Sequence, residues 1–311
     1  MDSKDVRTAA AFGPASLSNL GPGFDTLGIC IEGWGDTVTA TRKEGHGITV
    51  DSNILLPQEP AKNTASWAAH QVLSAVDAGC GVHLYVEKGI PLGSGIGGSA
   101  ASAAAAAWAT NLMLGQPLDK PDLVNAVLEG EAIASDGVRH GDNVLPALFG
   151  GMVLTSPSNP ADYRLIPLSR SLHLALLLPD LRVFTADARA ILPSHVSLRA
   201  ATENAGDLAF QIHDFITGNY ERVGCYMMRD RLVEPVRSAK LPFYAEARAR
   251  AVAAGAWGCA LTGSGPAMFA LAPDECTARA VAVAMVAAAV AAGIAASGFV
   301  TASDMEGVRT V

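Results

Sequence analysis

The sequence predicts an α+β fold, because strand-like and helix-like segments follow one another without the regular alternation that builds a parallel sheet. Three observations predict it. Asp36–Arg42 (DTVTATR) and Gly81–Gly89 (GVHLYVEKG) alternate apolar and polar residues with the period of a half-buried strand. The glycine-rich run Gly93–Gly98 opens directly into an alanine-rich helical stretch, Ser99–Leu114. Later in the chain, two apolar strand-like segments, Cys259–Leu261 and Ala267–Leu271, flank a second glycine turn.

The remaining elements fall between these. Arg7–Phe12 is strand-like and leads to a Gly/Pro turn at Leu20–Gly23. Helical stretches cover Asn63–Ala78, Asp122–Ala134, Asp207–Ile216 and Pro242–Ala254, and His173–Leu178 has the continuous apolar character of a buried strand. A composition shift at Phe149-Gly150-Gly151 divides the chain into an N-terminal segment, 1–151, and a C-terminal one, 152–311. Ala280–Val300 carries no charge and is long enough to span a bilayer. Its alanines and glycines, with Val283, Val286 and Val290 at helical spacing and Gly293 as a stop, instead predict a packed helix running into a strand.

Half of the 311 residues are hydrophobic and 17% are charged, which excludes global disorder. A formal net charge of −8, with no basic run, argues against a nucleic-acid partner but not against a small anion held by local donors. Five scattered cysteines without a CxxC pair read as reduced thiols of a cytoplasmic protein, and MDSKDVRTAAAFG lacks the apolar centre of a signal peptide. A soluble protein without a membrane partner is expected.

The strongest motif is Pro91-Leu92-Gly93-Ser94-Gly95-Ile96-Gly97-Gly98-Ser99-Ala100-Ala101-Ser102. Its glycines let the backbone approach a phosphate, and the following helix offers unpaired N–H groups and the positive end of its dipole. Ser99 and Ser102 could add hydroxyls for phosphate or metal. No Gly-Lys-Ser/Thr closes the loop, so it is not a Walker A motif. In Pro14–Gly28 (PASLSNLGPGFDTLG), Asn19 and Asp25 flank a tight turn, and either an Asx turn or an amide and carboxylate presented to an ammonium would account for them.

A third motif is Glu129–Gly151 (EGEAIASDGVRHGDNVLPALFGG). Glu131 lies on a helix ending near Gly137 and could ligate Mg²⁺. His140, Asp142 and Asn143 crowd into a short loop, where Asp142 could accept a proton or orient a hydroxyl. The fourth motif, Gly258–Leu271, places Thr262-Gly263-Ser264-Gly265-Pro266 between two strands, as a hairpin or as an anion-binding nest. Arg189 and Arg237 could fork onto a carboxylate, or be ordinary surface arginines; Thr185 precedes Arg189 and could face the same pocket.

Taken in order, these four motifs resemble the GHMP kinases over nearly the whole chain, and NLGPGFD with H-x-DNV-x-P resembles the homoserine kinase branch. The resemblance implies a GHMP kinase fold: an N-terminal domain like the second domain of ribosomal protein S5, and a C-terminal ferredoxin-like domain. It implies ATP, bound syn across the glycine loop, with Pro91 to Ala101 cradling the phosphates and Asn63 near the adenine. It further implies Mg²⁺ on Ser99 and Glu131, and an amino-acid pocket at Asn19, Asp25, His140, Asp142, Thr185, Arg189, Arg237 and Gly263.

The expected reaction is transfer of the ATP γ-phosphoryl group to the hydroxyl of L-homoserine, in threonine biosynthesis, with Asp142, Asn143 and Ser99 as catalytic residues. Homodimers are usual in the family. The chain departs from the family pattern at Gly98, which replaces a serine, and carries an extra residue, Asp136, between Glu131 and His140; Glu129 is the alternative metal ligand. A kinase for another small alcohol, or a sensor that kept the fold, are the competing readings.

Overall fold

The computed structural model describes residues 7–311; the first six residues of the N-terminal segment read above lie outside them. Two sheets organise the chain. The first contains β1 (Thr8–Asn19), β2 (Gly23–Lys43), β3 (Ile48–Ser52), β4 (Gly81–Lys88), β5 (Met152–Ser156), β6 (Asn159–Ile166) and β11 (Arg309–Thr310). Its order is β11-β1-β2-β4-β3, with β5 pairing to β2 and to β6. The strands expected at Arg7–Phe12 and Asp36–Arg42 are parts of β1 and β2, which run much further because both extend beyond the alternating stretches to wall the cleft described below.

One face of this sheet is covered by α1 (Thr64–Ala75), α2 (Gly98–Met113), α3 (Val124–Ala132) and α4 (Gly141–Phe149). The alanine run explains the packing. Ala100, Ala101 and Ala103–Ala107 are all fully buried, so α2 has apolar contacts on every side and no solvent face. Small side chains bring its axis close to the sheet: at Gly13 of β1, a Cβ would collide with the Ala101 carbonyl. The Phe149–Gly151 break falls between α4 and β5, and β5, β6 and β11, all beyond it, still pair into the first sheet.

The second sheet holds β7 (His173–Pro179), β8 (Gly258–Leu261), β9 (Met268–Ala272) and β10 (Ala296–Ala302) in the antiparallel order β10-β7-β9-β8. Helices α5 (Thr185–Ala190), α6 (Leu198–Thr217), α7 (Tyr220–Met227), α8 (Glu234–Ser238) and α9 (Tyr244–Ala253) lie between β7 and β8, and α10 (Glu275–Ala291) between β9 and β10. This is the βαββαβ arrangement of a ferredoxin-like unit, with extra helices in its first crossover.

The uncharged C-terminal stretch is α10 followed by β10, as expected, but the valine stripe is not its buried face. Val283 and Val290 are 71% and 58% exposed, whereas Ala278, Val281, Ala282, Met285, Ala288 and Ala289 pack inward. Alanines admit a closer helix–sheet approach than valines would. No helix among the described residues is long and apolar enough to cross a membrane.

An even tighter approach is at Gly28 of β2, where a Cβ would run into the Asp142 carbonyl at the start of α4. Gly28→Ala is therefore expected to cost about 2–3 kcal/mol through overpacking. The shift should be read from the urea midpoint, and an unchanged midpoint would show that α4 can retreat freely.

Candidate active site

A cleft of about 520 Å³ lies where the two sheets meet, and its lining gathers residues from all four motifs. On one side is the N-terminus of α2. Gly93, Gly95 and Gly97 have positive φ, and Gly97 caps the helix without a side chain, so the N–H groups of Gly98, Ser99 and Ala100 have no intrahelical acceptor. The Ala101 N–H is already bonded to the Gly97 carbonyl. The side chains of Ile96, Ala100 and Ala101 point into the core, and none of these three expected residues lines the cleft.

The second glycine turn braces this loop. Thr262 Oγ1 donates to the Gly95 carbonyl at 3.1 Å and the Ala267 N–H to the Ser94 carbonyl at 3.3 Å. Of the two readings of this turn, the anion nest is compromised, since the Gly263 N–H is bonded to the Ser18 carbonyl and the Gly265 N–H to the Thr262 carbonyl. Gly263 instead offers its carbonyl, which accepts from Asn19 Nδ2 at 3.0 Å and Arg237 Nη1 at 2.8 Å.

Ser102 also departs from expectation. Its hydroxyl donates to Asp36 Oδ2 at 2.7 Å and accepts from Lys88 Nζ at 3.1 Å, inside a buried Lys88–Asp36 ion pair. Lys88 Nζ further donates to the Gly98 carbonyl at 2.9 Å, and Asp36 Oδ1 accepts the Gly89 and Ile90 N–H groups. The pair thus places a cation beneath the phosphate-type loop. Sequence reasoning missed it, because only the β2–β4 register sets Asp36 opposite Lys88.

The opposite wall is ionic. His140, Asp142 and Asn143 do not form a free loop: His140 is the N-cap of α4, and Asp142 sits in its first turn. The Asn143 amide is committed at both ends, donating to Ser18 Oγ at 2.9 Å and accepting from Ser16 Oγ at 3.0 Å, so it fixes the turn that carries Asp142. Burial, with the Asp25 charge adding to it, raises the Asp142 pKa to about 7, while His140 pulls the other way. Burial also opposes protonation of His140, but Glu131, Asp142 and Asp25 together outweigh it and raise its pKa. His140 Nε2 lies 2.7 Å from Arg189 Nη2 and must accept there, which leaves Nδ1 to face Glu131 Oε2 at 3.5 Å.

Arg189 Nη2 also donates to both oxygens of Asp25 at 2.8 Å. Asp25 is held in the left-handed region (φ 55°), its N–H donated to Asn19 Oδ1, so the Asx-type turn exists and presents the carboxylate. The guanidinium carbons of Arg189 and Arg237 lie 5.2 and 5.1 Å from the centroid of Phe24, a residue the sequence did not single out. Burial lowers the Arg237 pKa. Thr185, at the start of α5, accepts a 3.4 Å bond from Ser264 Oγ at the same wall.

Between the two walls stands Glu131, whose Oε1 accepts from Ser135 Oγ at 2.7 Å. The extra residue, Asp136, is absorbed in an exposed turn with φ 51°, and Glu129 turns away to pair with Arg139. Glu131 lines the cleft and Glu129 does not. Asn63 lines it too, although its side chain caps α1 through the Ser66 N–H and donates to the Pro57 carbonyl. Ser94 Oγ, Glu131 Oε2, Asp142 Oδ1 and Arg189 Nε are buried, border this cleft and have no hydrogen-bond partner among the described residues. Buried polar atoms seldom go unpaired, so their convergence marks a site built for a polar ligand.

The family model described as the GHMP kinases N terminal domain matches residues 63–151, and that for the GHMP kinases C terminal region matches residues 211–291. A homoserine kinase from Chlorobium phaeobacteroides is 38% identical over 90% of this chain and 91% of its own. The chain belongs to the homoserine kinase family of the GHMP kinases. Another relative in this family, from Xanthomonas campestris, is 35% identical over 96% of this chain and 92% of its own. The crystal structure of homoserine kinase from Cytophaga hutchinsonii superposes with a TM-score of 0.93, covering 98% of both chains at 32% identity. The family consists of ATP-dependent phosphotransferases, and the chain is such an enzyme.

The raised pKa of Asp142 has a cost in stability. A carboxyl that holds its proton more tightly folded than unfolded destabilises the fold once it must ionise. The penalty therefore grows as pH rises from about 4 to about 7, and is full above that. Asp142→Asn is expected to raise the melting temperature of the ligand-free protein at pH 8, with the advantage fading toward pH 4. Differential scanning calorimetry across that range checks it, and an equal offset at both ends would refute the assignment.

Proposed function

We propose that the cleft transfers the γ-phosphoryl group of ATP to the hydroxyl of L-homoserine, giving O-phospho-L-homoserine and ADP. The observation that carries this reading is the wall formed by Asp25, Arg189 and Arg237 around Phe24, facing the α2 N-terminus across the cleft. An amino acid supplies an ammonium for Asp25 and a carboxylate for the arginine forks. A sugar or mevalonate offers no ammonium to Asp25, which would keep only its Arg189 pair. Homoserine is also the substrate in the names of the relatives above.

The α2 N–H groups and the Lys88 charge beneath them suit the phosphates, and Leu56, Pro57 and Asn63 suit the base beside them. The free Glu131 oxygen and the Ser99 hydroxyl fit Mg²⁺, which takes few protein ligands when phosphates complete its shell and which neutralises phosphate charge when bound. Asp142 accepts the substrate hydroxyl's hydrogen bond and points its oxygen at the phosphorus. The ionised form is needed for this, and Asn143 keeps its turn in place. Phosphoryl transfer of this kind depends mainly on positioning and charge stabilisation. The five unpaired cysteines, three of them buried, fit a reducing cytoplasm, and we propose a homodimer as the working assembly.

The deciding experiment is a coupled ADP-release assay with Mg-ATP and L-homoserine, L-serine, L-threonine, mevalonate or galactose. Turnover on homoserine alone is expected; turnover on mevalonate or galactose would discard the amino-acid pocket. In the same assay Asp25→Asn should raise KM for homoserine about a hundredfold, since it leaves an ammonium unpaired, and should leave KM for ATP unchanged. Glu131→Gln should raise the Mg²⁺ concentration for half-maximal rate by about tenfold. An unaltered Mg²⁺ requirement would remove Glu131 from the metal site.

A further inference from the structure

A second cluster of titratable groups lies outside the cleft, on the far side of α8. Glu234, the first residue of this helix, is only 7% exposed, and its Oε1 accepts a hydrogen bond from the hydroxyl of Tyr244 on α9. Arg248, one turn further along α9, donates to the Tyr244 hydroxyl at 3.2 Å and to the Met228 carbonyl. Asp230 closes the other side, its carboxylate accepting the N–H groups of Leu232, Val233 and Glu234. From β8, the buried thiol of Cys259 and the Leu261 backbone approach the same carboxyl.

Nothing in the proposed phosphoryl transfer uses these groups, and burying an acid there is expensive. Burial raises the Glu234 pKa to about 7, and an apolar residue would serve stability better. Their location supplies a reason. Helix α8 is five residues long, too short to hold its own register. Its outer side, at Glu234, Pro235, Ser238 and Ala239, borders a cavity of about 480 Å³, so close packing does not fix it there either. Its last turn carries Arg237, which is 6% exposed and reaches the Gly263 and Ala188 carbonyls at the substrate wall.

We infer that Glu234 is a positioning residue: its bond to Tyr244 anchors α8 to α9 and β8 and so sets Arg237 against the substrate carboxylate. This rests on the amino-acid pocket proposed above. The anchor acts mainly on one substrate, because Arg237 lies on the amino-acid wall, whereas the α2 N-terminus is braced by the Thr262 hydroxyl, which Arg237 does not contact.

The test is steady-state kinetics on Glu234→Gln, Glu234→Ala, Tyr244→Phe and the Glu234→Ala/Tyr244→Phe double variant, with the melting temperature of each. Gln keeps an acceptor for the Tyr244 hydroxyl and should stay within about twofold of wild type at pH 7.5. Glu234→Ala and Tyr244→Phe should each raise KM for homoserine about tenfold, with kcat and KM for ATP held within about twofold. The double variant should be no worse than the poorer single one, since both remove the same bond. If Glu234→Ala does not fold, Tyr244→Phe alone carries the comparison. A lowered melting temperature with unchanged KM for homoserine, or an equal rise in KM for both substrates, would overturn the inference. A wild type silent on homoserine would overturn the amino-acid pocket and this inference together, whereas an active wild type with unsplit variants overturns this inference alone.

Discussion

The structure depends on how closely α2 can approach the first sheet. A helix buried on every face can satisfy its backbone internally, but its first turn cannot, and that turn must open on solvent or on a ligand. Alanine along α2 and Gly13 on β1 let the helix sink until only its N-terminus meets the cleft. A bulkier helix would stand off from the sheet and carry the loop Gly93–Gly98 away from α4. The packing decision and the anion site are therefore one decision, made by side-chain size.

Depth creates an electrostatic problem that the Lys88–Asp36 pair answers. The Gly98 carbonyl points back toward the sheet while the neighbouring N–H groups point into the cleft, and Lys88 Nζ satisfies that carbonyl. Asp36 neutralises the lysine and ties Gly89 and Ile90, the residues that lead into the loop. A buried ion pair adds little net stability, but removing either partner strands the other. Its contribution is to fix the strand end from which the loop springs.

Much of this was legible in the sequence, and for identifiable reasons. The alternation in Gly81–Gly89 and the glycine-to-alanine switch at Gly98 are local signals, and β4 and α2 appear where they predict. The strands β3, β5 and β6 left too little pattern in five to eight residues each. Helix α4 was masked by the polar residues that begin it, since a first turn reading His-Gly-Asp-Asn looks like a loop until its apolar face, Val144, Leu145 and Leu148, is seen buried. Residue types told which side chains could form a site, and the cleft does gather Asp25, Glu131, His140, Asp142, Arg189 and Arg237. What they could not tell was commitment. Ser102, Asn143 and the Gly263 and Gly265 N–H groups are spent on the protein itself, and Phe24, Asp36 and Lys88 gain their places only through register and turn geometry.

The charges of the cleft are only partly matched to one another. Asp25 is paired with Arg189, so a zwitterion entering there exchanges one ion pair for two and leaves no charge stranded. Glu131 and Asp142 instead each keep a buried oxygen without a hydrogen-bond partner among the described residues, that of Glu131 facing His140 Nδ1 at 3.5 Å. For Asp142, burial raises the pKa to about 7. Bringing a cation and an ammonium into the cleft favours the ionised form of Asp142. Under the proposed reaction, the free enzyme thus carries a strain that substrates relieve. Asp142 becomes the acceptor that the hydroxyl needs only when Arg189, Glu131 and the α2 N-terminus have their own partners. The fold holds these groups on separate elements, α3, α4, α5 and the start of β2, so that no internal pairing can quench them all.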